Sequence, residues 1–326
     1  MPMELRPLGK TGLKITPIGL GCWQFSQGRG FIGKVWSTLD AATIDAVVKA
    51  ALDGGVNWFD TAESYGYGKS EAALAGALTR LGKKPGDVIV ATKWFPLLRP
   101  ASSIITTLPD RLGFLDPFSI DLLQIHAPGS LSSVEKQAMA LAKLLKEKKV
   151  RAVGVSNFSA VGMRKFHKVL TGEGFMLASN QVRYSLIQRK IETNGILDTA
   201  RELGITIIAY SPLAQGVLTG RFHDDPTLAL KVSFGRRMMS GITRAGLKKT
   251  EPLVRYLQET GRKYSAAGVA ASATQVALNW LVNFNGDTVV AIPGASKAKQ
   301  ATEAAHCLDF TLRPEEIKEI EALSRK

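Results

Sequence analysis

Asp60 and Tyr65 stand five residues apart within "VNWFDTAESYGYGKSEAALAGAL", Val56–Leu78, where an apolar strand-like run gives way to a helix-like one. Lys93 lies at the end of a second such run, "VIVATKW", and His126 closes a third, "IDLLQIH". Ser156 with Asn157, Gln181, and Tyr210 with Ser211 lie at the ends of three more. Singly, each has an ordinary explanation. Asp60 is a helix cap, Tyr65 packs, Lys93 is a snorkelling surface cation and His126 a satisfied structural histidine. Together they make a proton-transfer set. A lysine cation beside a phenol lowers the phenol's pKa. An aspartate holds that lysine charged and oriented. The phenol can then donate its proton to a developing alkoxide near neutral pH. A histidine can hydrogen-bond the same substrate oxygen and orient it. Lys93 alone also fits the Schiff-base lysine of an aldolase-type barrel.

Something must bring these residues to one place. Eight apolar runs rich in Val and Ile recur along the chain, at Pro17–Trp23, Val56–Asp60, Val88–Trp94, Ile120–His126, Val150–Asn157, Ala178–Tyr184, Ile205–Leu213 and Thr288–Gly294. Continuous apolar runs suit parallel strands buried on both faces. Amphipathic segments lie between them, such as "AATIDAVVKAALDGG", which stops on glycines, and "SVEKQAMALAKLLKEKK", with cations in its last turn. The pattern predicts a (β/α)8 TIM barrel as one domain over residues 1–326, whose pocket opens at the C-terminal strand ends. A doubly wound sheet fits less well, because no GxGxxG turn follows the first strand. "YGYGKS" mimics the end of a P-loop, but Glu63 stands where the first glycine is required. Around Gly9–Gly12 the pattern predicts an N-terminal hairpin, and "RPEEIKEIEALSRK" a terminal helix with Pro314 near its first turn. Ala214–Thr250, after the seventh strand, reads as one long loop and a candidate lid.

Composition excludes several function classes. No apolar run approaches the roughly 18 residues of a membrane span, and the first residues, "MPMELRPLGKTG", hold no signal core. Two distant cysteines, Cys22 and Cys307, make neither a disulfide framework nor a zinc motif. No metal site is expected, and the compartment is expected to be reducing and cytoplasmic. Net charge is +14, and Arg221–Lys263 holds ten Lys/Arg against four acids. No nucleic-acid motif accompanies these charges, so a solvated surface and then a phosphate-bearing ligand are the readings kept.

With the motifs "GLGCW", "FDTAESYGYGKSE", "VIVATK", "DLLQIH", "VRAVGVSNF", "NQVRYSLI", "AYSPLAQGVLTGR" and "AIPGAS" in this order, nearly the whole chain resembles the aldo-keto reductases. The likeness is to the longer bacterial and plant-type members and the potassium-channel β-subunit branch. It implies a (β/α)8 barrel that reduces aldehydes or ketones with NADPH, without metal or flavin. It implies Tyr65 as general acid, Lys93 and Asp60 as tuners of its pKa, and His126 as the group that positions the carbonyl. Ser156, Asn157 and Gln181 would hold the nicotinamide carboxamide, with Tyr210 stacked on the ring. Ser211, Pro212, Leu213, Gln215, Gly216 and Leu218 would wrap the pyrophosphate, with Arg221 as its cation. Gly294, Ser296, Gln300 and Glu303 would lie at the adenosine end, and Gly21, Cys22, Trp23 and Ile292 would complete the cofactor wall. The resemblance also implies an alternative, an NADP-binding, redox-sensing subunit with little turnover.

Two departures stand out. The family's usual Glu-Asn pair is Glu303-Ala304 here, and its frequent 2′-phosphate arginine is absent. Lys297 or Arg236 would have to replace that arginine. NADPH is kept as the expected cofactor. The expected partner is a small carbonyl compound, not nucleic acid or membrane. Phe25, Phe31, Trp36, Trp94 and Phe95 are candidate pocket walls.

Overall fold

The computed structural model describes residues 3–28, 38–232, 237, 240–266 and 269–325. Eight parallel strands form one sheet: β3 (Leu20–Gly21), β4 (Trp58–Asp60), β5 (Ile89–Trp94), β6 (Leu122–Ile125), β7 (Ala152–Ser156), β8 (Ser179–Arg183), β9 (Thr206–Tyr210) and β12 (Val289–Ile292). Neighbours in the sheet are neighbours in sequence, and parallel bridges Ile18↔Ala291 and Gly21↔Gly294 join its two edges. The result is the expected barrel. Below it lies the expected hairpin, β1 (Arg6–Pro7) paired with β2 (Lys14–Ile15). A further short antiparallel pair, β10 (Ser265–Ala266) with β11 (Val269–Ala270), was not expected.

The strands are apolar throughout because each face meets its own core. Leu8, Leu13 and Ile15 from the hairpin region pack with Trp58, Ala91, Leu122, Ala152, Ile208 and Val290 inside the barrel. Phe59, Val90, Leu123, Val153, Ile207 and Val289, one residue away on the same strands, belong to the larger core under the helices. Trp58 is among the largest fully buried side chains. A Cβ on Gly19 would lie 2.3 Å from its ring, so only glycine fits there. Gly154 has the same role higher up, where a Cβ would fall 2.1 Å from Ser179 Oγ and 3.1 Å from Gln124. Two residues above the apolar floor the inward positions become polar, with Asp60 above Trp58, Lys93 above Ala91 and Gln124 above Leu122. Period-two alternation thus puts the chemistry directly on top of the packed core.

The stretch expected as one loop, 214–250, is largely broken into helical pieces. A tight segment, Ala214–Thr219, is followed by short helices Arg221–Asp224 and Thr227–Leu230. A long helix then starts at Arg244, capped by Thr243 Oγ1 accepting from the Gly246 N–H, and runs to Arg262 through Pro252. Leu247, Leu253, Val254 and Leu257 recur at helical spacing and are buried on one side, which fixes this as helix. The terminal helix, Pro314–Ser324, forms as expected with proline in its first turn.

Candidate active site

Asp60 and Lys93 form a buried ion pair, with their side chains 1% and 0% exposed. Such a pair is stable only when every lone pair and proton has a partner. Lys93 Nζ donates to Asp60 Oδ1 and, at 2.9 Å, to the Thr61 carbonyl. Asp60 Oδ2 accepts from Gln124 Nε2 at 3.0 Å and Gln181 Nε2 at 2.9 Å. Gln124 Oε1 in turn accepts from Ser179 Oγ at 3.2 Å. Sequence reasoning missed Gln124 and Ser179, and it gave Gln181 to the cofactor without seeing its bond to Asp60.

The Lys93 ammonium lies 5.0 Å from the centroid of the Tyr65 ring. Burial works against the ammonium, but Asp60 and then Tyr65 outweigh it, so its pKa lies above the ordinary lysine value. For Tyr65 burial is the larger influence and pushes the phenol upward; Lys93 offsets part of this. The net direction is opposite to the lowering expected from Lys93 alone. It keeps the phenol protonated across neutral pH, the state a proton donor needs. Tyr65 stacks on Trp23 (centroids 6.1 Å apart) and meets His126 edge-on at 5.6 Å. Phe95 also meets His126 edge-on, at 5.6 Å. Burial and then the Lys93 charge push the His126 pKa down to about 3, so the imidazole is neutral at any working pH.

The turn that carries Tyr65 is held from behind. The Glu63 N–H donates to the Lys93 carbonyl at 3.3 Å, and the Glu63 carboxylate accepts from the Phe95 N–H, Arg99 and Arg111. Arg111 also pairs with Glu71, 3.0 Å away, and Glu71 accepts from Thr92 Oγ1 at 2.6 Å. Burial raises the Glu71 pKa, Arg111 pulls it back, and the balance is about 7. The fold therefore binds this proton more tightly than the unfolded chain, whose glutamate titrates near 4.5. Stability from this group is full below about pH 4.5 and is lost as pH rises towards about 7. Glu71→Gln is expected to remove that slope, about 3 kcal/mol at roughly 1.4 kcal/mol per pKa unit. Urea unfolding of both proteins at about pH 5 and pH 8 checks it; parallel losses at both values would refute it.

Above these groups opens a cavity of about 510 Å³. Its wall includes Tyr65, His126 and the inner edge of Asp60, while Lys93 lies behind Tyr65. Ser156, Asn157, Gln181 and Tyr210 continue it; Asn157 donates to Ser156 Oγ at 3.0 Å, and the Tyr210 hydroxyl donates to Asn157 Oδ1 at 3.1 Å. Ser211, Pro212, Leu213, Gln215 and Gly216 follow, then Arg221, Ile292, Gly294, Ser296, Gln300 and Glu303. Gly21, Cys22 and Trp23 stand opposite in the lining. Gly216 has φ +99, and a Cβ there would sit 3.0 Å from the Arg221 guanidinium, so a left-handed turn lets arginine close over bare backbone. Among the described residues no carboxylate pairs with Arg221.

Several expected wall residues lie elsewhere. Leu218 is buried in the outer core and does not line the cavity. Phe25 and Trp94 are also core residues, and Trp94 Nε1 donates to Ser103 Oγ at 3.1 Å, away from the pocket. For Trp94 strand alternation is the cause, because Lys93 points inward and its neighbour therefore points out. Lys297 is exposed and outside the lining. Phe31, Trp36 and Arg236 fall outside the described residues. Conversely, Gln24, Thr219, Ser272, Thr274 and Pro293 line the cavity without having been singled out. Gln24 is 8% exposed, its Oε1 has no partner among the described residues, and its amide lies where a Gly294 side chain would be. An orphaned buried oxygen, an arginine without a carboxylate and a bare glycine turn fit a long, polar, anionic ligand. Among the described residues no cluster of His, Cys, Asp and Glu could hold a metal ion, and no helix is long and apolar enough to cross a membrane.

The family model described as "Aldo/keto reductase family" matches residues 17–325. The aldo-keto reductase YhdN of Bacillus subtilis is 30% identical over 98% of this chain and 93% of its own length. A putative voltage-gated potassium channel subunit beta of Schizosaccharomyces pombe is 27% identical over 98% and 93%. The solved structure of a glycerol dehydrogenase from Gluconobacter oxydans superposes with a TM-score of 0.81 at 27% identity, covering 99% of this chain and 95% of that one.

Proposed function

The chain belongs to the aldo/keto reductase family, and from that premise we propose that it is an oxidoreductase that reduces aldehydes or ketones to alcohols with NADPH. The observation that carries this reading is the meeting of Tyr65, His126 and the Asp60–Lys93 pair at the floor of one cavity. A reduced nicotinamide supplies the hydride when bound. The protein's own work is to hold and protonate the carbonyl. Tyr65 gives its phenol proton to the oxygen as negative charge develops there. Lys93 stabilises the phenolate left behind, and Asp60 keeps the ammonium charged and in place. His126, being neutral, orients the same oxygen by a hydrogen bond and does not compete for the proton.

Ser156, Asn157 and Gln181 would hold the cofactor's amide end, Arg221 and the Gly216 turn its phosphates, and Gln300 and Glu303 its adenosine. NADPH over NADH rests on the basic balance of the chain and is the part a titration decides. Cofactor fluorescence is expected to give a Kd for NADPH at least about tenfold below that for NADH, a difference of about 1.4 kcal/mol. Equal affinities would remove the phosphate preference. A cytoplasmic setting belongs to the same reading, supported by two cysteines that are both free and buried. The likeness to a channel β subunit favours one second reading, a cofactor-binding regulatory subunit. An aldehyde panel with NADPH separates the two: oxidation of the cofactor supports the reductase, and tight binding without turnover supports the subunit.

A further inference from the structure

We infer that Ser64 is a positioning residue, whose hydroxyl donates to His126 Nδ1 and fixes the imidazole in the tautomer that presents Nε2–H to the cavity. The two atoms are 3.2 Å apart. A neutral imidazole carries one N–H, and the partner of the other nitrogen decides which one it is. The ring plane is already set, because Tyr65 and Phe95 meet it edge-on at interplanar angles of 82° and 86°. Both flips of the ring share that plane, and the 3.2 Å contact of Nδ1 with Ser64 Oγ distinguishes them; the proton position then chooses the donor. Among the described residues Ser64 Oγ has no other hydrogen-bond partner, and His126 Nδ1 has no other. A serine hydroxyl can donate to a bare Nδ1 or accept from a protonated one, so the direction of this bond follows from what the other nitrogen must do. The reverse tautomer would turn a bare nitrogen lone pair towards the place where Tyr65 needs a carbonyl oxygen. Two acceptors would then face each other.

The chain gets Ser64 there by the same turn that delivers Tyr65. Glu63 is clamped to the Lys93 carbonyl through its N–H, and its own carbonyl accepts from Gly68 at 3.1 Å. The next two residues then project from one fixed loop. Tyr65 carries the proton, and Ser64 sets the group that holds the oxygen. The choice of tautomer rests on the carbonyl-reducing reading above, whereas the measurement that tests it does not.

The test is long-range 1H–15N NMR on the full-length, 15N-labelled protein, with the His126 signals assigned by their loss in His126→Gln. The chain has four histidines, so assignment is direct. In the wild type, Nδ1 is expected at the unprotonated and Nε2 at the protonated imidazole shift. In Ser64→Ala both should move to intermediate values as the tautomers mix. Ser64→Thr, which keeps the hydroxyl, should restore them. In turnover, Ser64→Ala is expected to lower kcat about 3- to 10-fold, with a smaller change in KM, and Ser64→Thr to recover most of it. A protonated Nδ1 in the wild type, or a Ser64→Ala spectrum like the wild type, overturns the inference. The expected spectra without carbonyl reduction in any of the proteins would uphold the tautomer assignment and overturn the reductase reading instead.

Discussion

Tyr65→Phe is expected to lower kcat/KM for carbonyl reduction by about 10³-fold or more, within the range for loss of a positioned general acid. The substitution removes one hydroxyl and little else. The ring keeps its stack on Trp23 and its edge contact with His126. Lys93 keeps Asp60 and the Thr61 carbonyl. No neighbour can take over the acid's role. His126 is neutral, and giving up its remaining proton would leave an imidazolate. Lys93 is held behind the phenol by two acceptors and does not line the cavity. Cofactor affinity should stay within about twofold, because the residues proposed to bind it are unchanged. Fluorescence titration and single-turnover rates on the same preparation separate the two effects. The wild-type enzyme should also keep its activity into alkaline pH, since burial holds the phenol above its usual pKa. Wild-type rates in the phenylalanine variant would mean that another group donates the proton.

Asp60, Lys93 and His126 were legible because each is polar where an apolar strand stops, and Tyr65 because it follows one of those ends by five residues. A packed core does not put an aspartate, a lysine and a histidine at consecutive strand ends without a use for them. Gln124 and Ser179 were not legible in that way. Neither closes an apolar run, and only the register of the barrel shows that Gln124 points inward to Asp60 and Ser179 to Gln124. Trp94 failed for the same reason in reverse. Aromatic character suggested a substrate wall, but alternation along β5 turns Trp94 away from the side that Lys93 occupies. Ser272 and Thr274 reach the cavity from the N-terminal end of helix Ala273–Asn283, not from a strand end, so the strand-end rule could not find them. The helix Arg244–Arg262 hid behind Pro252 and a glycine-containing start, until its buried stripe of Leu247, Leu253, Val254 and Leu257 resolved it. Hydrophobic period thus specified the barrel, whereas polar contacts between strands needed three dimensions.

Lys93→Met tests whether the buried pair tunes the acid or merely fills the barrel. Methionine matches the length of the lysine stem, so the change is chiefly one of charge. Asp60 would then be left 1% exposed, with two amide donors and no cation. Breaking a buried ion pair on one side costs about 3–5 kcal/mol. Turnover is expected to fall at least about 10²-fold, because the phenolate that forms at Tyr65 loses its stabilising charge. Loss of activity alone would be ambiguous, since a destabilised barrel would also lose it. The double variant Asp60→Asn with Lys93→Met removes the uncompensated charge and is expected to recover most of the stability but none of the rate. The residual activity carries a second signature. Lys93 holds the Tyr65 pKa below what burial alone would give, so without it the alkaline limb of the rate profile should move to higher pH. Recovery of both stability and rate in the double variant would make the pair structural only. Recovery of stability without rate would leave Tyr65 dependent on the charge next to it.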